Sequence, residues 1–266
     1  MSTLAPSQEH RAFNGIFYRT EGEGEPLLLL HGLLVSGAMF DPLVPLLRDR
    51  FRMLIPDLRG HGRSGDLGAP YDVAMLAADL DAVLTEAGFR RCAVLGYSHG
   101  GTVAQQLAHT RPAAVSRLVL VCTYACNAST LKERIEAEVL RALLLLLSPG
   151  TIAKLILRPS KPRPTGAIGL TREQALWLQS ILAANRAPAM REAARGLATF
   201  DSRPWLHEIG VPTLVVGGTH DFAVPRHHFD TLLNGIPGAA GHLVDRAGHT
   251  LLWTHTRELA DIVRAQ

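Results

Sequence analysis

Short, uninterrupted apolar runs recur along the chain, each bounded by Gly, Pro or Asp and separated from the next by stretches of helical period. Continuous apolar runs are typical of strands that are buried on both faces of a parallel sheet. The alternation therefore predicts an α/β fold with a mostly parallel central sheet flanked by helices. The predicted strands are residues 15–19, 27–30, 53–56, 92–96, 118–122, 213–217 and 242–245.

Two of the connections carry clear helical signals. Residues 73–86 place apolar side chains at helical spacing, with acidic residues beside this stripe. Residues 99–109 begin directly after a strand and a glycine-rich turn, and Pro112 follows as a stop signal. Both segments are therefore predicted to be crossover helices of the sheet.

One connection is much longer than the others. The alternation breaks between residues 127 and 199, where no strand is predicted. We therefore expect one α/β core, formed by residues 1–126 and 200–266, with a helical cap inserted at residues 127–199. The helices predicted in this insertion are residues 131–147, 152–157, 171–184 and 190–197, with a linker at residues 159–169.

Composition restricts the class of protein. The chain has 266 residues, of which 47% are hydrophobic and 19% charged, as in an ordinary globular domain. The formal net charge is only +3, and the basic cluster Arg158, Lys161 and Arg163 has no interleaved aromatic residues that could stack on bases. A nucleic-acid partner is therefore not expected, while a homodimer is left open.

The sequence also bears on location and metals. The first 15 residues have no basic segment followed by an apolar run, so no secretory signal is predicted and a cytoplasmic location is expected. The apolar run at residues 142–147 is far shorter than the roughly 20 residues that span a bilayer. Cys92, Cys122 and Cys126 are too few for a disulfide framework, and neither a metal nor a cofactor is expected.

The strongest chemical signal is the segment Gly-Tyr-Ser-His-Gly-Gly at residues 96–101, which matches G-x-S-x-G between a predicted strand and a predicted helix. A serine at such a turn has a strained backbone, so glycines are needed where a Cβ atom would clash. Its hydroxyl projects at the carboxyl edge of the sheet. Ser98 is therefore the candidate nucleophile.

A serine hydroxyl needs a base within hydrogen-bond reach, and the base needs an acid that orients it. After a strand–turn–helix serine, the acid and then the histidine follow at the ends of later strands. Asp221 and His249 occupy these positions, and residues 123–127, the competing place for the acid, contain no carboxylate. The other histidines without a strand-end position are interpreted as solvent-exposed or structural: His10, His207, His227, His228, His242 and His255.

The oxyanion of an acyl-transfer intermediate needs fixed hydrogen-bond donors. The backbone N–H groups of His99, after the nucleophile, and of Leu33, after the strand at residues 27–30, are the predicted pair. His31 is expected to hold this loop by a hydrogen bond, and the segment from Asp57 to Ser64 is expected to be a structural turn.

These motifs together resemble the α/β-hydrolase superfamily in its serine-nucleophile branch, over nearly the whole chain. Within it the chain is similar to small esterases, to lactonases such as 3-oxoadipate enol-lactonase, and to cofactor-free perhydrolases, also called non-haem haloperoxidases. The serine at position 98 argues against the haloalkane dehalogenases and epoxide hydrolases, which the resemblance associates with aspartate there. The resemblance implies a Ser98–His249–Asp221 catalytic triad, an oxyanion hole and no cofactor.

The predicted function is hydrolysis of a small or medium apolar carboxylic ester, lactone or thioester through an acyl-serine intermediate. Three alternatives stay open: a C–C bond lyase or hydrolase, a perhydrolase, and a ligand-binding receptor with vestigial turnover. The cap is expected to lie over Ser98 and to line the acyl site with aliphatic side chains. The predicted substrate contacts are Leu34, Tyr97, Leu144 and Trp177.

Overall fold

The structure is a computed structural model that describes residues 7–65, 68, 70–157 and 168–266. Eight strands form one sheet in the order β1-β2-β4-β3-β5-β6-β7-β8. The strands are β1 (Gln8–Arg11), β2 (Phe17–Glu21), β3 (Glu25–Leu30), β4 (Phe51–Pro56), β5 (Cys92–Tyr97), β6 (Val115–Val121), β7 (Thr213–Gly218) and β8 (Ala240–Val244). β1 pairs antiparallel with β2, and β2 antiparallel with β4. All other neighbours are parallel, so the predicted fold class is confirmed.

The helices cover both faces of this sheet. They are α1 (Val44–Leu47), α2 (Val73–Glu86), α3 (His99–Thr110), α4 (Leu131–Leu146), α5 (Pro149–Ile156), α6 (Arg172–Ala183), α7 (Ala187–Ala198), α8 (Arg226–Gly235), α9 (Leu251–Thr254) and α10 (Thr256–Arg264). The first two predicted crossover helices correspond to α2 and α3.

Two apolar clusters hold the layers together. Leu28 and Leu30 of β3 belong to the cluster that includes side chains of α2 and α3, whereas Leu27 and Leu29 belong to the cluster that includes side chains of α1 and α10. Successive side chains of a strand point to opposite faces, so an uninterrupted apolar run supplies both clusters. This double burial is why the apolar runs of the central strands, such as residues 27–30 of β3 and 118–121 of β6, do not alternate with polar residues.

Four helices, α4 to α7, follow one another between β6 and β7. α4 packs on α7, and α5 packs on α6. The chain leaves the sheet and returns to it at one place, because Cys126 and Asp201 form an antiparallel bridge and the N–H of Ser202 donates to the carbonyl of Ala125 at 2.8 Å. These helices agree with the predicted ones to within a few residues.

The differences from the sequence analysis have simple causes. β1 was not predicted, because its four residues are all polar or charged and all exposed, so they carry no apolar signal. The helices α1, α8, α9 and α10 were also not predicted. Leu145 and Leu146, in the apolar run at residues 142–147, are 64% and 80% exposed. The linker predicted at residues 159–169 lies, except for residues 168 and 169, outside the described residues, as do Arg158, Lys161 and Arg163.

Two further expectations concern membranes and thiols. Within the described ranges, no helix combines the length and the apolar character needed to cross a bilayer. Cys92, Cys122 and Cys126 are buried as free thiols, as expected of small apolar side chains.

Candidate active site

A strained turn lies between β5 and α3. Ser98 has φ +53° and ψ −119°, a conformation that costs free energy for any residue with a Cβ atom. A Cβ on Gly100 would lie 2.1 Å from the carbonyl oxygen of Leu30, and one on Gly96 would lie 2.5 Å from the carbonyl oxygen of Gly100. Glycine at these two positions therefore lets the turn form against β3.

Three hydrogen bonds hold the backbone of Ser98 in this conformation. Its N–H donates to the carbonyl of Val121 at 2.9 Å. Its carbonyl accepts from the N–H of Gly101 at 2.9 Å and from the hydroxyl of Thr123 at 2.7 Å. The turn is thereby tied to the end of β6, and the Ser98 side chain stays at the carboxyl edge of the sheet.

The side chains of Ser98, His249 and Asp221 form a hydrogen-bonded chain. His249 Nε2 lies 3.2 Å from Ser98 Oγ, and His249 Nδ1 lies 2.9 Å from Asp221 Oδ2. Asp221 follows β7 and His249 follows β8, so the predicted strand-end positions do bring the three residues together. A base touching a hydroxyl, itself oriented by a carboxylate, is the arrangement that activates a serine nucleophile.

Asp221 and His249 each shift the pKa of the other. Burial lowers the pKa of His249, but the negative charge of Asp221 and its hydrogen bond outweigh burial, so the pKa lies above its ordinary value. Burial raises the pKa of Asp221, but His249 and the backbone N–H of Val224 bring it below its ordinary value. Asp221 therefore stays ionised at neutral pH, and its charge favours the imidazolium that forms when His249 takes a proton.

Two buried side chains support this pair from below. The hydroxyl of Tyr97 donates to the backbone carbonyl of His249, and its ring lies 5.8 Å from the imidazole. The sulfur of Cys122, directly after β6, lies within 4.8 Å of a carboxylate oxygen of Asp221 and of a ring nitrogen of His249, and its proximity lowers the pKa of Asp221. Both contacts restrain the positions of the imidazole and the carboxylate.

The loop after β3 lies against the serine. A Cβ on Gly32 would lie 3.4 Å from Ser98 Cβ, so the glycine permits this close approach. Leu33 and Ser98 line the same pocket, and His99 is the first residue of α3, so its N–H has no acceptor within the helix. Leu33 thus lines the pocket that contains Ser98, and the N–H of His99 stays without a helical acceptor, while the role of both groups as oxyanion donors stays a prediction.

His31 and the turn after β4 are structural, as expected. His31 Nε2 accepts from the N–H of Leu58 at 2.9 Å, and burial lowers the pKa of His31 to about 4, so the imidazole is neutral. The carboxylate of Asp57 accepts from the N–H groups of Gly37 and Arg63 at 2.7 and 2.8 Å. These bonds join the loops after β3 and β4.

Ser98 and His249 open into a pocket of about 500 Å³. Its apolar wall comes from the loop after β3, from α4 and α7 of the insertion, and from the loop before α8; this wall includes Leu33, Leu140, Ala194, Leu197, Phe222 and Val224. Its polar wall includes Glu133, Glu136, Arg141 and His228. The pocket therefore combines an aliphatic surface with a small group of ionisable side chains.

The four predicted substrate contacts have other surroundings in the structure. Leu34 and Leu144 pack into a small apolar cluster with Ile152 and Leu182. This cluster adjoins the pocket wall, but neither Leu34 nor Leu144 lines the pocket. Tyr97 is buried below His249. Trp177 packs against the apolar cluster on the α10 side of the sheet. Apolar character alone does not tell which side chains of a helical insertion face a pocket.

One group of side chains at the pocket wall was missed by the sequence analysis. Glu133 Oε1 lies 2.9 Å from His227 Nε2 and 3.2 Å from His228 Nε2. Burial raises the pKa of Glu133, but hydrogen bonds from Ser129 and Thr130 bring it to about 2. Burial lowers the pKa of His228. The sequence signal was the adjacent pair His227 and His228. This pair does not indicate that Glu133, 94 positions before His227, is its partner.

Two groups among the described residues have metal-ligating atoms within 4.8 Å of one another. One is Cys122, Asp221 and His249, which belongs to the hydrogen-bonded chain above, and the other is Glu133, His227 and His228.

Comparison with known proteins places this site in context. The family model for the alpha/beta hydrolase fold matches residues 25–256. The chain is 32% identical over 247 residues to the pimeloyl-[acyl-carrier protein] methyl ester esterase of Aeromonas hydrophila, covering 91% of this chain and 95% of that protein.

Two solved structures resemble the chain over almost its entire length. The enol-lactonase from Burkholderia xenovorans LB400 has a TM-score of 0.84 at 24% identity, covering 97% of this chain and 98% of that one. The bromoperoxidase from Bacillus anthracis has a TM-score of 0.88 at 19% identity, covering 97% and 99%. At these identities the two structures show a shared fold.

The turn at Ser98 leads to a prediction about stability. Gly100→Ala should lower the free energy of unfolding by about 3 kcal/mol or more, because the new Cβ would meet the backbone of Leu30 rather than a movable side chain. Gly210→Ala is the matched control, since a Cβ there has no atom within 4 Å. Urea denaturation followed by circular dichroism measures both. Equal midpoints for Gly100→Ala and the wild type would contradict the close packing of this turn.

Proposed function

The chain belongs to the α/β-hydrolase fold family, and from that membership we propose that it hydrolyses a small or medium apolar carboxylic ester, lactone or thioester through an acyl intermediate on Ser98. The observation that carries the proposal is the pair of contacts that joins Ser98 Oγ to His249 at 3.2 Å and His249 to Asp221 at 2.9 Å. The ester hydrolysis stated in the name of the Aeromonas relative supports the same chemistry.

In the proposed reaction, His249 Nε2 accepts the proton of Ser98 as Oγ attacks the ester carbonyl carbon. Asp221 stabilises the imidazolium that results. The negative charge on the carbonyl oxygen is stabilised by the backbone N–H groups of Leu33 and His99. The tetrahedral intermediate collapses as His249 returns the proton to the leaving alcohol, and the acyl group remains on Ser98.

Deacylation repeats these steps with water as the nucleophile. His249 takes a proton from the water, the hydroxide attacks the acyl carbon, and the proton then returns to Ser98 Oγ as the carboxylic acid departs. Every proton transfer in this cycle passes through His249, so the proposal needs no further acid or base.

We also propose that residues 127–199 act as a cap over this site. Leu140 of α4 and Leu197 of α7 belong to the pocket wall that also contains Ser98 and His249. A substrate acyl chain beside these leucines would lose contact with water, which favours apolar acyl groups. The cytoplasmic location stays a prediction, and a homodimer stays open.

The catalytic roles predict a characteristic loss of activity. Ser98→Ala, His249→Ala and Asp221→Asn should each lower kcat for p-nitrophenyl butyrate by about 1000-fold or more, because the three groups act as a unit. His220→Ala is the matched control, since its imidazole contacts Thr219 at 2.9 Å instead of the triad. Circular dichroism spectra confirm folding. Turnover near the wild-type rate in Asp221→Asn would assign the acid to another residue.

The pH dependence follows from the raised pKa of His249. Only the neutral imidazole accepts a proton, so kcat/KM should be constant at high pH. Below the pKa of His249, which lies above 6.5, kcat/KM should fall about tenfold per pH unit. Asp221→Asn removes the negative charge, so burial alone remains and the histidine should titrate at lower pH, as measured by NMR. Asp230→Asn, which alters an exposed pair with Arg226, should leave the titration unchanged. A higher pKa in Asp221→Asn would contradict this.

The pocket wall predicts acyl-chain preference. Each buried methylene adds up to about 0.8 kcal/mol, so kcat/KM should rise up to about fourfold per carbon from acetyl esters until the pocket is full. Leu140→Ala should flatten this rise, whereas Leu146→Ala, on the exposed part of the same helix, should not. A series of p-nitrophenyl esters measures both. A flat series in the wild type, or a preference for anionic acyl groups, would exclude the proposed pocket.

A further inference from the structure

Helix α4 of the insertion meets helix α8 of the core through three ionisable side chains. Glu133, in the first turn of α4, directs Oε1 between His227 Nε2 at 2.9 Å and His228 Nε2 at 3.2 Å. The three ligand-type atoms all lie within 4.8 Å of one another. We propose that Glu133, His227 and His228 form a binding site for a divalent transition metal, with Zn²⁺ as the best match.

The distances suit this ion. Zinc binds imidazole nitrogen and carboxylate oxygen at about 2.0–2.2 Å, so two ligands of a tetrahedral site are about 3.3 Å apart. The two contacts of Glu133 Oε1 are within a few tenths of an ångström of that separation. Two imidazoles and one carboxylate form a ligand set that zinc accepts and that magnesium and calcium, which prefer oxygen ligands, do not.

The carboxylate is held in place by its second oxygen. Glu133 Oε2 accepts from the N–H and the hydroxyl of Ser129, both at 2.8 Å, and from the N–H of Thr130 at 3.1 Å. These bonds fix the rotamer and leave Oε1 directed at the two imidazoles. A ligating carboxylate that is itself hydrogen-bonded is typical of metal sites, because such bonds orient the ligand before the ion arrives.

The two imidazoles differ in exposure in a way that suits entry of an ion. The side chain of His228 is only 4% exposed and packs beside the ring of Tyr124, whereas that of His227 is 44% exposed. A neutral imidazole that carries its proton on Nδ1 presents the lone pair of Nε2 to a metal. Binding therefore requires only a tautomer with Nδ1 protonated, and the ion can approach from the His227 side.

Three protein ligands are the number found in zinc sites that keep a fourth position for water or a ligand. Glu133 and His228 belong to the wall of the pocket that contains Ser98, so this fourth position lies at the pocket. The ion would also join α4 to α8. We therefore expect metal binding to stabilise the contact between the insertion and the core.

The alternative is a set of hydrogen bonds in which both imidazoles donate from Nε2 to Glu133 and no ion binds. The metal site and the hydrogen-bonded cluster both explain the short distances between Glu133 and the two imidazoles. Only the metal site predicts that Zn²⁺ binds to these atoms. Metal titration of the full chain therefore decides between them.

The experiment uses tag-free protein that has been treated with a chelator and dialysed. Isothermal titration with ZnCl₂ alone at pH 7.5 should give one ion per chain with Kd on the order of 1 µM or lower. A hundredfold excess of free Zn²⁺ over Kd should raise Tm by about 5 °C. His227→Ala and Glu133→Gln should each weaken binding by about 100-fold or more.

Two control variants identify the site. His207→Ala removes an exposed histidine outside the cluster and should leave the affinity unchanged. His249→Ala removes a member of the other group of ligand-type atoms and should also leave it unchanged. Because His227 is partly exposed, its replacement should fold even if Glu133→Gln does not. A Kd for Zn²⁺ above about 100 µM in the wild type, or the wild-type affinity in His227→Ala, would overturn the proposal.

Discussion

The positive φ of Ser98 is the constraint on which the rest of the site depends. A left-handed residue between β5 and α3 reverses the chain within one position, so the hydroxyl stands at the sheet edge and the helix begins directly behind it. The cost of this conformation is offset by hydrogen bonds to Val121, Gly101 and Thr123 and by glycines where α3 touches β3. The position of the Ser98 hydroxyl thus requires a well-packed sheet.

The parallel arrangement of β5, β6, β7 and β8 explains how distant residues meet. The carboxyl ends of parallel strands lie along one edge, so the loops that follow them converge whatever their separation in sequence. Asp221 and His249 come from the loops after β7 and β8, and Cys122, directly after β6, has its sulfur within 4.8 Å of ligand atoms of both. The buried strands are therefore as important to the proposed triad as its own side chains.

The sequence allowed prediction of those strands and site residues that a strong local pattern marks. Continuous apolar runs located seven of the eight strands, and strand-end positions selected Ser98, Asp221 and His249, which the structure brings within hydrogen-bond distance. Prediction failed for β1, whose exposed polar residues depend on backbone pairing with β2 rather than on burial. Local pattern cannot reveal such a strand.

The pocket lining could not be predicted for a related reason. Leu140 and Leu144 lie one turn apart on α4, yet Leu140 lines the pocket while Leu144 packs against α5 and α7. Both are apolar and on a similar face, so only the packing of the neighbouring helices separates their roles. The Glu133 cluster has the same origin, because its members are far apart in sequence and meet only when α4 docks on α8.

The first turn of α4 and its later turns are held by different kinds of contact. Its first turn is fixed by directional contacts of Glu133 with Ser129, His227 and His228, whereas its later turns pack through leucines whose contacts are non-directional. A change of leucine size at position 140 can therefore reshape the pocket while the polar contact keeps the start of the helix in place. Neither contact includes Ser98, Asp221 or His249 as a partner, so under the proposed function the acyl preference can vary with the insertion while the hydrogen-bonded chain of these three residues stays with the sheet.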